Sequence, residues 1–168
     1  HSSSSSRHLC HDDESSSLLQ FKKSFLLKKF ASGSTSAYPK VSSWCLEGEN
    51  GDCCSWDGVE CDHITGHVIG LDLSSSFLYG SINSNSTLFR LVHLQRLNLA
   101  DNHFNYSQIP SAIQHLSTLR SLNLSGSYFF GQIPSEILKL SKLVYLDLCC
   151  NVYPSDYQRL MKLEKPSL

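Results

Sequence analysis

No apolar run in this chain approaches the roughly 18 residues that a membrane-spanning helix requires. Neither sign of charge dominates: 14 Lys and Arg stand against 15 Asp and Glu, a net charge of −1. That balance argues against nucleic acid as the main partner. Lys22, Lys23, Lys28 and Lys29 cluster near the start, but no basic stripe runs on from them. They read as a solvated helix face rather than a phosphate or membrane site. The chain also lacks a G-x-S-x-G elbow, a P-loop, a glycine-rich nucleotide fingerprint and an H-E-x-x-H helix. Its carboxylates are scattered, and its eight histidines fall mostly in loops or the tail. No catalytic residue, cofactor or metal is therefore assigned.

A repeat is what the chain does have. Leu71/Leu73, Leu97/Leu99, Leu122/Leu124 and Leu146/Leu148 are four copies of Leu-x-Leu whose leading leucines stand 26, 25 and 24 residues apart. Ile82, Ile109 and Ile133 follow the first three copies at 11 or 12 residues, the last two opening Ile-Pro pairs with Pro110 and Pro134. A period of about 20–29 residues with this grammar is the signature of a leucine-rich-repeat solenoid. Each Leu-x-Leu is a short strand with both leucines on its buried side, because side chains alternate along a strand. Such a unit cannot bury its apolar face alone and folds by stacking on its neighbours.

The fold class is thus an α/β solenoid, a right-handed superhelix with a parallel β-sheet. The residues between the leucines form outward columns from coil to coil: Gly70, Arg96, Ser121, Tyr145; then Asp72, Asn98, Asn123, Asp147; then Ser74, Ala100, Ser125, Cys149. Within them Asp72, Arg96, Asn98, Ser121, Asn123, Tyr145 and Asp147 are the candidate binding face. After each strand comes Ser76, Asn102, Ser127 or Asn151, whose side chains can satisfy backbone groups in a buried turn.

The seven cysteines are Cys10, Cys45, Cys53, Cys54, Cys61, Cys149 and Cys150, and five of them precede the repeats. That density suggests an oxidising compartment. Three N-x-Ser/Thr sequons, at Asn85, Asn105 and Asn123, agree with secretion. A glycan on Asn123 would cover part of the proposed face. Cys53, Cys54, Cys61, His63 and His67 lack the paired C-x₂₋₄-C spacing of a structural zinc site, so disulfides fit them better. Neighbouring cysteines bridge each other poorly, so Cys53 and Cys54 need different partners. The simplest assignment ties Cys10 to Cys53 and Cys54 to Cys61. By the same reasoning Cys149 and Cys150 are left as free thiols or an intermolecular bridge.

Residues 1–9 read as a disordered Ser-rich segment behind a removed secretion signal, and 10–66 as a cap sealing the first coil. Residues 67–152 hold about four repeats, and 153–168 an interrupted, irregular repeat or tail. In the cap, Leu18, Leu19, Phe21, Phe25, Leu26 and Phe30 recur at helical intervals, with acids before them and lysines after, as suits a helix dipole. Trp56 is placed beside the second bridge. In the tail, Tyr157, Leu160, Met161 and Leu163 are compatible with a short helix. Leu143, Leu146 and Leu148 of the last coil would lack an apolar neighbour, so the isolated chain is expected to be unstable or to self-associate.

The run DCCSWDGVECDHITGHVIGLDLSSSFLYGSI, with LLQFKKSF and SSW upstream, resembles the N-terminal module of plant leucine-rich-repeat receptor-like proteins, which carry an extracellular solenoid, one membrane span and no kinase. The segment from Leu88 to Leu148 continues the resemblance in register, so that it covers nearly everything from Cys10 to Asn151. It implies the same two disulfides, a secreted or cell-surface location with the full-length protein anchored by one span, and perception of a protein, peptide or cell-wall-derived ligand in defence or peptide sensing, with a co-receptor as a further partner. Polygalacturonase inhibitors share the cap and repeats, so a soluble secreted inhibitor is the alternative, and a non-functional truncated receptor fragment is another. Cys45, Cys149 and Cys150 depart from the family pattern.

Overall fold

The computed structural model describes residues 9–151 and 162–164. Helix α1, Asp12–Lys23, opens the cap with Asp12, Asp13 and Glu14 in its first turn and Lys22 and Lys23 in its last, complementing its dipole. Two short strands follow, β1 (Leu26–Leu27) and β2 (Val59–Cys61). The repeats supply β3 (Val68–Asp72), β4 (Leu78–Tyr79), β5 (Arg96–Asn98), β6 (Ser121–Asn123) and β7 (Tyr145–Asp147), and the tail supplies β8 (Lys162–Glu164). Short 3₁₀ turns at Thr87–Arg90, Ser111–His115 and Ser135–Lys139 return the chain from one coil to the next. Pro110 and Pro134 stand immediately before the last two, where a fixed φ suits helix entry and no N–H is lost.

The main sheet runs β2-β3-β5-β6-β7-β8. Its four repeat strands are parallel and in register, Leu71 beside Leu97, Leu122 and Leu146. The strands at either edge are antiparallel, β2 from the cap and β8 from the tail. Every leucine of the four Leu-x-Leu copies is buried.

A second ladder lies behind the leucines. Asn102 is fully buried. Its Oδ1 accepts from the backbone N–H of Ser76 (3.2 Å) and Leu78 (3.1 Å), while Nδ2 donates to the carbonyls of Leu73 (2.8 Å) and Leu99 (3.0 Å). Asn151 does the same for Ser127, Phe129, Leu124 and Leu148. In the intervening coils a serine stands at this position and donates one hydroxyl: Ser127 to Leu99 (2.8 Å), Ser76 to its own coil's Ser74 (3.1 Å).

The cap departs from the helix expected over its whole apolar run. α1 stops at Lys23, and Leu26–Leu27 form a strand antiparallel to Leu78–Tyr79 of the first coil. Leu26 and Phe30 are consequently 59% and 66% exposed. The backbone of 26–27 finds hydrogen-bond partners on a neighbouring coil that continued helix would leave unused, and Phe25 packs edge-on against both Phe21 (4.9 Å) and Phe104 (5.6 Å). Lys22 is no solvated lysine either: its ammonium donates to the Trp44 carbonyl at 3.1 Å.

The far end also differs. Leu143, Leu146 and Leu148 are buried rather than bare, and β8 pairs with the edge of β7. Leu163 lies in that strand, not in a helix. The rest of the tail segment assigned to a helix, Tyr157 to Met161, lies outside the described residues, as does the serine run at 2–6.

A candidate ligand-binding face and its cap

The outward columns of the parallel sheet lie side by side: Gly70, Arg96, Ser121 and Tyr145 in one row, Asp72, Asn98, Asn123 and Asp147 in the next. With Gly58 and Glu60 of the cap, all of these but Asp147 line a shallow groove of about 440 Å³. Glu60 was not among the sequence candidates. It enters through β2, whose antiparallel pairing sets Glu60 opposite Gly70, and the alternation Val59-Glu60-Cys61 was the signal that could have found it. Arg96 Nη2 meets Glu60 Oε2 at 2.7 Å across the face, with both side chains about half exposed. A Cβ on Gly70 would come within 3.1 Å of Glu60 and 3.4 Å of the Arg96 guanidinium. Glycine at that point leaves room for the ion pair.

The second row has a structural duty that the strand pattern did not reveal. Asp72 accepts from the amide and hydroxyl of Ser74 (3.0 and 2.6 Å), Asn98 from the amide of Ala100 (3.0 Å), Asn123 from the amide and hydroxyl of Ser125 (3.0 and 2.7 Å), and Asp147 from the amide of Cys149 (3.0 Å). One oxygen of each thus closes its own turn as an Asx motif. Burial tends to raise the pKa of Asp72, but the Ser74 hydroxyl and amide and the ammonium of Lys40 (3.4 Å) outweigh it, holding the carboxyl below the usual range. The first row engages its tips differently: the Arg96 guanidinium pairs with Glu60, and the Tyr145 hydroxyl reaches Asp147 Oδ2 at 3.4 Å.

Behind this face the cap is pinned by two disulfides, Cys10–Cys53 and Cys54–Cys61, with Cα–Cα separations of 5.5 and 5.4 Å. The Asp52 carboxylate accepts from the amides of Leu9 (2.7 Å), Cys10 (3.1 Å) and Cys54 (3.0 Å), holding the first bridge in place. Trp56 stacks on Trp44 at 5.4 Å; its indole N–H donates to the Cys45 and Asn50 carbonyls of the loop between them, and that of Trp44 to the Asp57 carbonyl just beyond Trp56. Glu14 is only 4% exposed. It accepts from the Val68 amide and, at 2.9 Å, from His67 Nδ1, and His67 is itself sandwiched between His11 (4.0 Å) and His93 (3.7 Å). His11, Glu14 and His67 place potential ligand atoms within 4.8 Å of one another. Nearly parallel rings cannot both aim in-plane lone pairs at one ion, and these groups already bond each other and the Thr65 carbonyl. The cluster is a clamp between α1 and the first coil.

Cys45 is a free, exposed thiol. Cys149 and Cys150 are joined to each other rather than left as thiols, with Cα atoms 3.8 Å apart and Cys150 in the left-handed region (φ 65°), at the repeat position where the third coil has Gly126 (φ 58°). Of the sequon asparagines, Asn85 and Asn105 are exposed in turns and Asn123 lies half-buried on the sheet face. Among the described residues no helix is long and apolar enough to cross a membrane.

Residues 11–62 match the leucine rich repeat N-terminal domain model, and 93–116 and 118–140 match the Leucine Rich Repeat model. Receptor-like protein 7 of Arabidopsis thaliana is 48% identical over 80% of this chain and 12% of its own length. Receptor-like protein Cf-9 of Solanum pimpinellifolium is 43% identical over 95% of this chain and 20% of its own. Among solved structures, the BIR3–SERK2 complex from Arabidopsis thaliana superposes with a TM-score of 0.64 and 30% identity, covering 90% of this chain and 78% of the matched one. The chain spans a fifth or less of the curated relatives it matches. With capped coils, in-register leucines and these relatives together, the chain belongs to the plant leucine-rich-repeat receptor-like protein family.

Proposed function

We propose that this chain is the N-terminal part of an extracellular recognition module, working by binding rather than catalysis, in a receptor-like protein that is anchored at the plasma membrane. Its ligand is a protein, a peptide or a cell-wall-derived fragment, perceived in defence or peptide signalling, with a co-receptor as second partner. The observation that carries this reading is the open row of Arg96, Ser121 and Tyr145 beside Glu60, on a sheet whose backbone groups are already paired. Arg and Tyr are the side chains that most often anchor a protein interface. The solved relative is itself a complex of two proteins, which supports a binding role.

The test passes separated apoplastic peptides, pectic oligosaccharides and secreted wall-degrading enzymes over the immobilised chain, as wild type and as Arg96→Glu with Tyr145→Ala. Loss of one hot-spot contact costs about 2 kcal/mol, so retention should weaken about 30-fold for either change alone and up to several hundred-fold, on the order of 4 kcal/mol, in the double variant. Retention that both forms share equally would move the ligand off this face. Retention and inhibition of a polygalacturonase alone would favour the soluble inhibitor.

A further inference from the structure

A separate surface remains on the flank formed by the segments that follow the asparagine–serine ladder. There Leu78, Phe104 and Phe129 point inward and are fully buried, so their neighbours Tyr79, His103 and Tyr128 turn outward. His103 is the hub. Tyr128 stacks on it at 4.0 Å with planes 5° apart, while Tyr79 (5.1 Å), Tyr106 (5.6 Å) and Phe30 of the cap (6.2 Å) meet it edge to face. Phe30, Tyr106 and Tyr128 are 66%, 53% and 41% exposed. Five rings from the cap and three successive segments thus form one continuous aromatic patch, of a kind that marks an interaction site when left open to water.

What covers it is suggested by the residue in its middle. Asn105 lies between His103 and Tyr106, is exposed, and begins the sequon Asn105-Tyr106-Ser107. Its backbone is fixed: Asn105 and Tyr106 both take left-handed φ (53° and 59°), the Asn105 amide donates to His103 Nδ1 at 3.0 Å, and the Tyr106 amide to the Tyr128 carbonyl at 3.0 Å. The Asn105 Nδ2 makes one long surface bond, 3.4 Å to Ser81 Oγ. Asn85, by contrast, lies in a turn closed by Asn83, whose Oδ1 accepts from its amide at 2.9 Å, and Asn123 has its oxygen tied to Ser125 on the sheet. A sugar presents C–H groups on one face and hydroxyls at its rim, which suits aromatic faces edged by phenol and imidazole groups.

We propose that Asn105 carries an N-linked glycan whose first sugar rings lie back on Tyr106, Tyr128 and His103, covering the patch. The proposal rests on the extracellular reading above, since attachment needs the secretory route. In that reaction the asparagine amide nitrogen bonds the sugar's anomeric carbon as the C–O bond to a polyisoprenyl-diphosphate oligosaccharide donor breaks. The lipid diphosphate leaves and takes up the amide proton.

The experiment secretes the full chain from plant cells and maps occupancy by glycopeptide mass spectrometry. Native endoglycosidase release from Asn105 is then timed in wild type and in Tyr106→Ser with Tyr128→Ser. We expect Asn105 to be occupied, N-acetyl methyl protons to show NOEs to tyrosine ring protons in the wild type, and release to quicken about 2- to 10-fold in the variant. The NOE arm decides the matter even where the variant folds poorly. An unglycosylated Asn105 beside an occupied Asn85 overturns this inference and leaves secretion standing, whereas no glycan anywhere counts against secretion as well. Occupancy without NOEs or any change in release rate overturns the seat itself. So does an Asn105→Gln chain that dimerises through the patch at the same concentration as the glycosylated wild type.

Discussion

The cap and the coils reach stability by opposite means. Residues 9–66 are held by contacts that occur once each: two disulfides, a tryptophan pair, and the buried Glu14 with its three stacked imidazoles. The repeats use one leucine and one ladder position again and again, each coil leaning on the next. A unique contact, once lost, has no substitute. A repeated one is shared, yet because coils touch only their neighbours its loss frees whatever lies beyond it.

The largest effects should come from striking each region at its centre. Replacing Cys10 and Cys53 by alanine should lower stability by about 4 kcal/mol, against about 2.5 for Cys54 with Cys61, because the first bridge closes a 43-residue separation and the second only 7. Urea midpoints of the two double variants check the order, and equal losses would make loop entropy the wrong account. Leu122→Ala, in the middle of the leucine row, should cost about 3 kcal/mol, and hydrogen exchange should show the loss spreading to β5 and β7.

Asn102→Ala strips four backbone groups of their partner at once and should cost about 3 kcal/mol. Asn102→Ser should lose less, since serine already fills this position in two coils; equal melting of both variants would deny the ladder its role. In the cap, Glu14→Gln keeps an acceptor for Val68 but gives up the charge facing His67. A loss of about 2 kcal/mol is expected by denaturant titration at neutral pH.

The smallest effect concerns acid. Asp72 titrates below its ordinary range in the fold, so its contribution is present above the unfolded carboxylate pKa and disappears as pH falls through the folded value. Its side chain is 57% exposed, which limits the contribution to less than about 1 kcal/mol. Between pH 6 and pH 3 the urea midpoint of wild type should fall slightly more than that of Asp72→Asn. Parallel curves would remove Asp72 from the acid response.

How far the sequence could be read follows the same division. The leucine spacing alone led to the parallel sheet and to the coil-to-coil columns, because a repeated interval carries its own register. The cap resisted. Where α1 ends was hidden because the strand Leu26–Leu27 exists only through Leu78–Tyr79, some fifty residues away. Asp101 is a similar case: its carboxylate accepts from the amides of Gly33 and Ser34 and the Ser75 hydroxyl, stitching the cap loop to the coils. His11, His67 and His93 stand far apart in the chain, and only the folded junction stacks them. On the sheet face the columns were legible but their employment was not, for nothing in alternation says that Asn98 or Asp147 spends an oxygen on its own turn.

The alternation of asparagine and serine behind the leucines groups the coils into couples. Asn102 laces the first coil to the second and Asn151 the third to the fourth, each through three bonds across the junction, whereas between the second and third the Ser127 hydroxyl crosses to Leu99 and the Phe104 amide donates back to the Ser127 carbonyl. The central junction leans instead on main chain and rings, through the amides of Phe104, Tyr106 and Phe130 and the Phe104–Phe129 stack, so a change at a ladder asparagine loosens an outer junction and leaves the middle one standing.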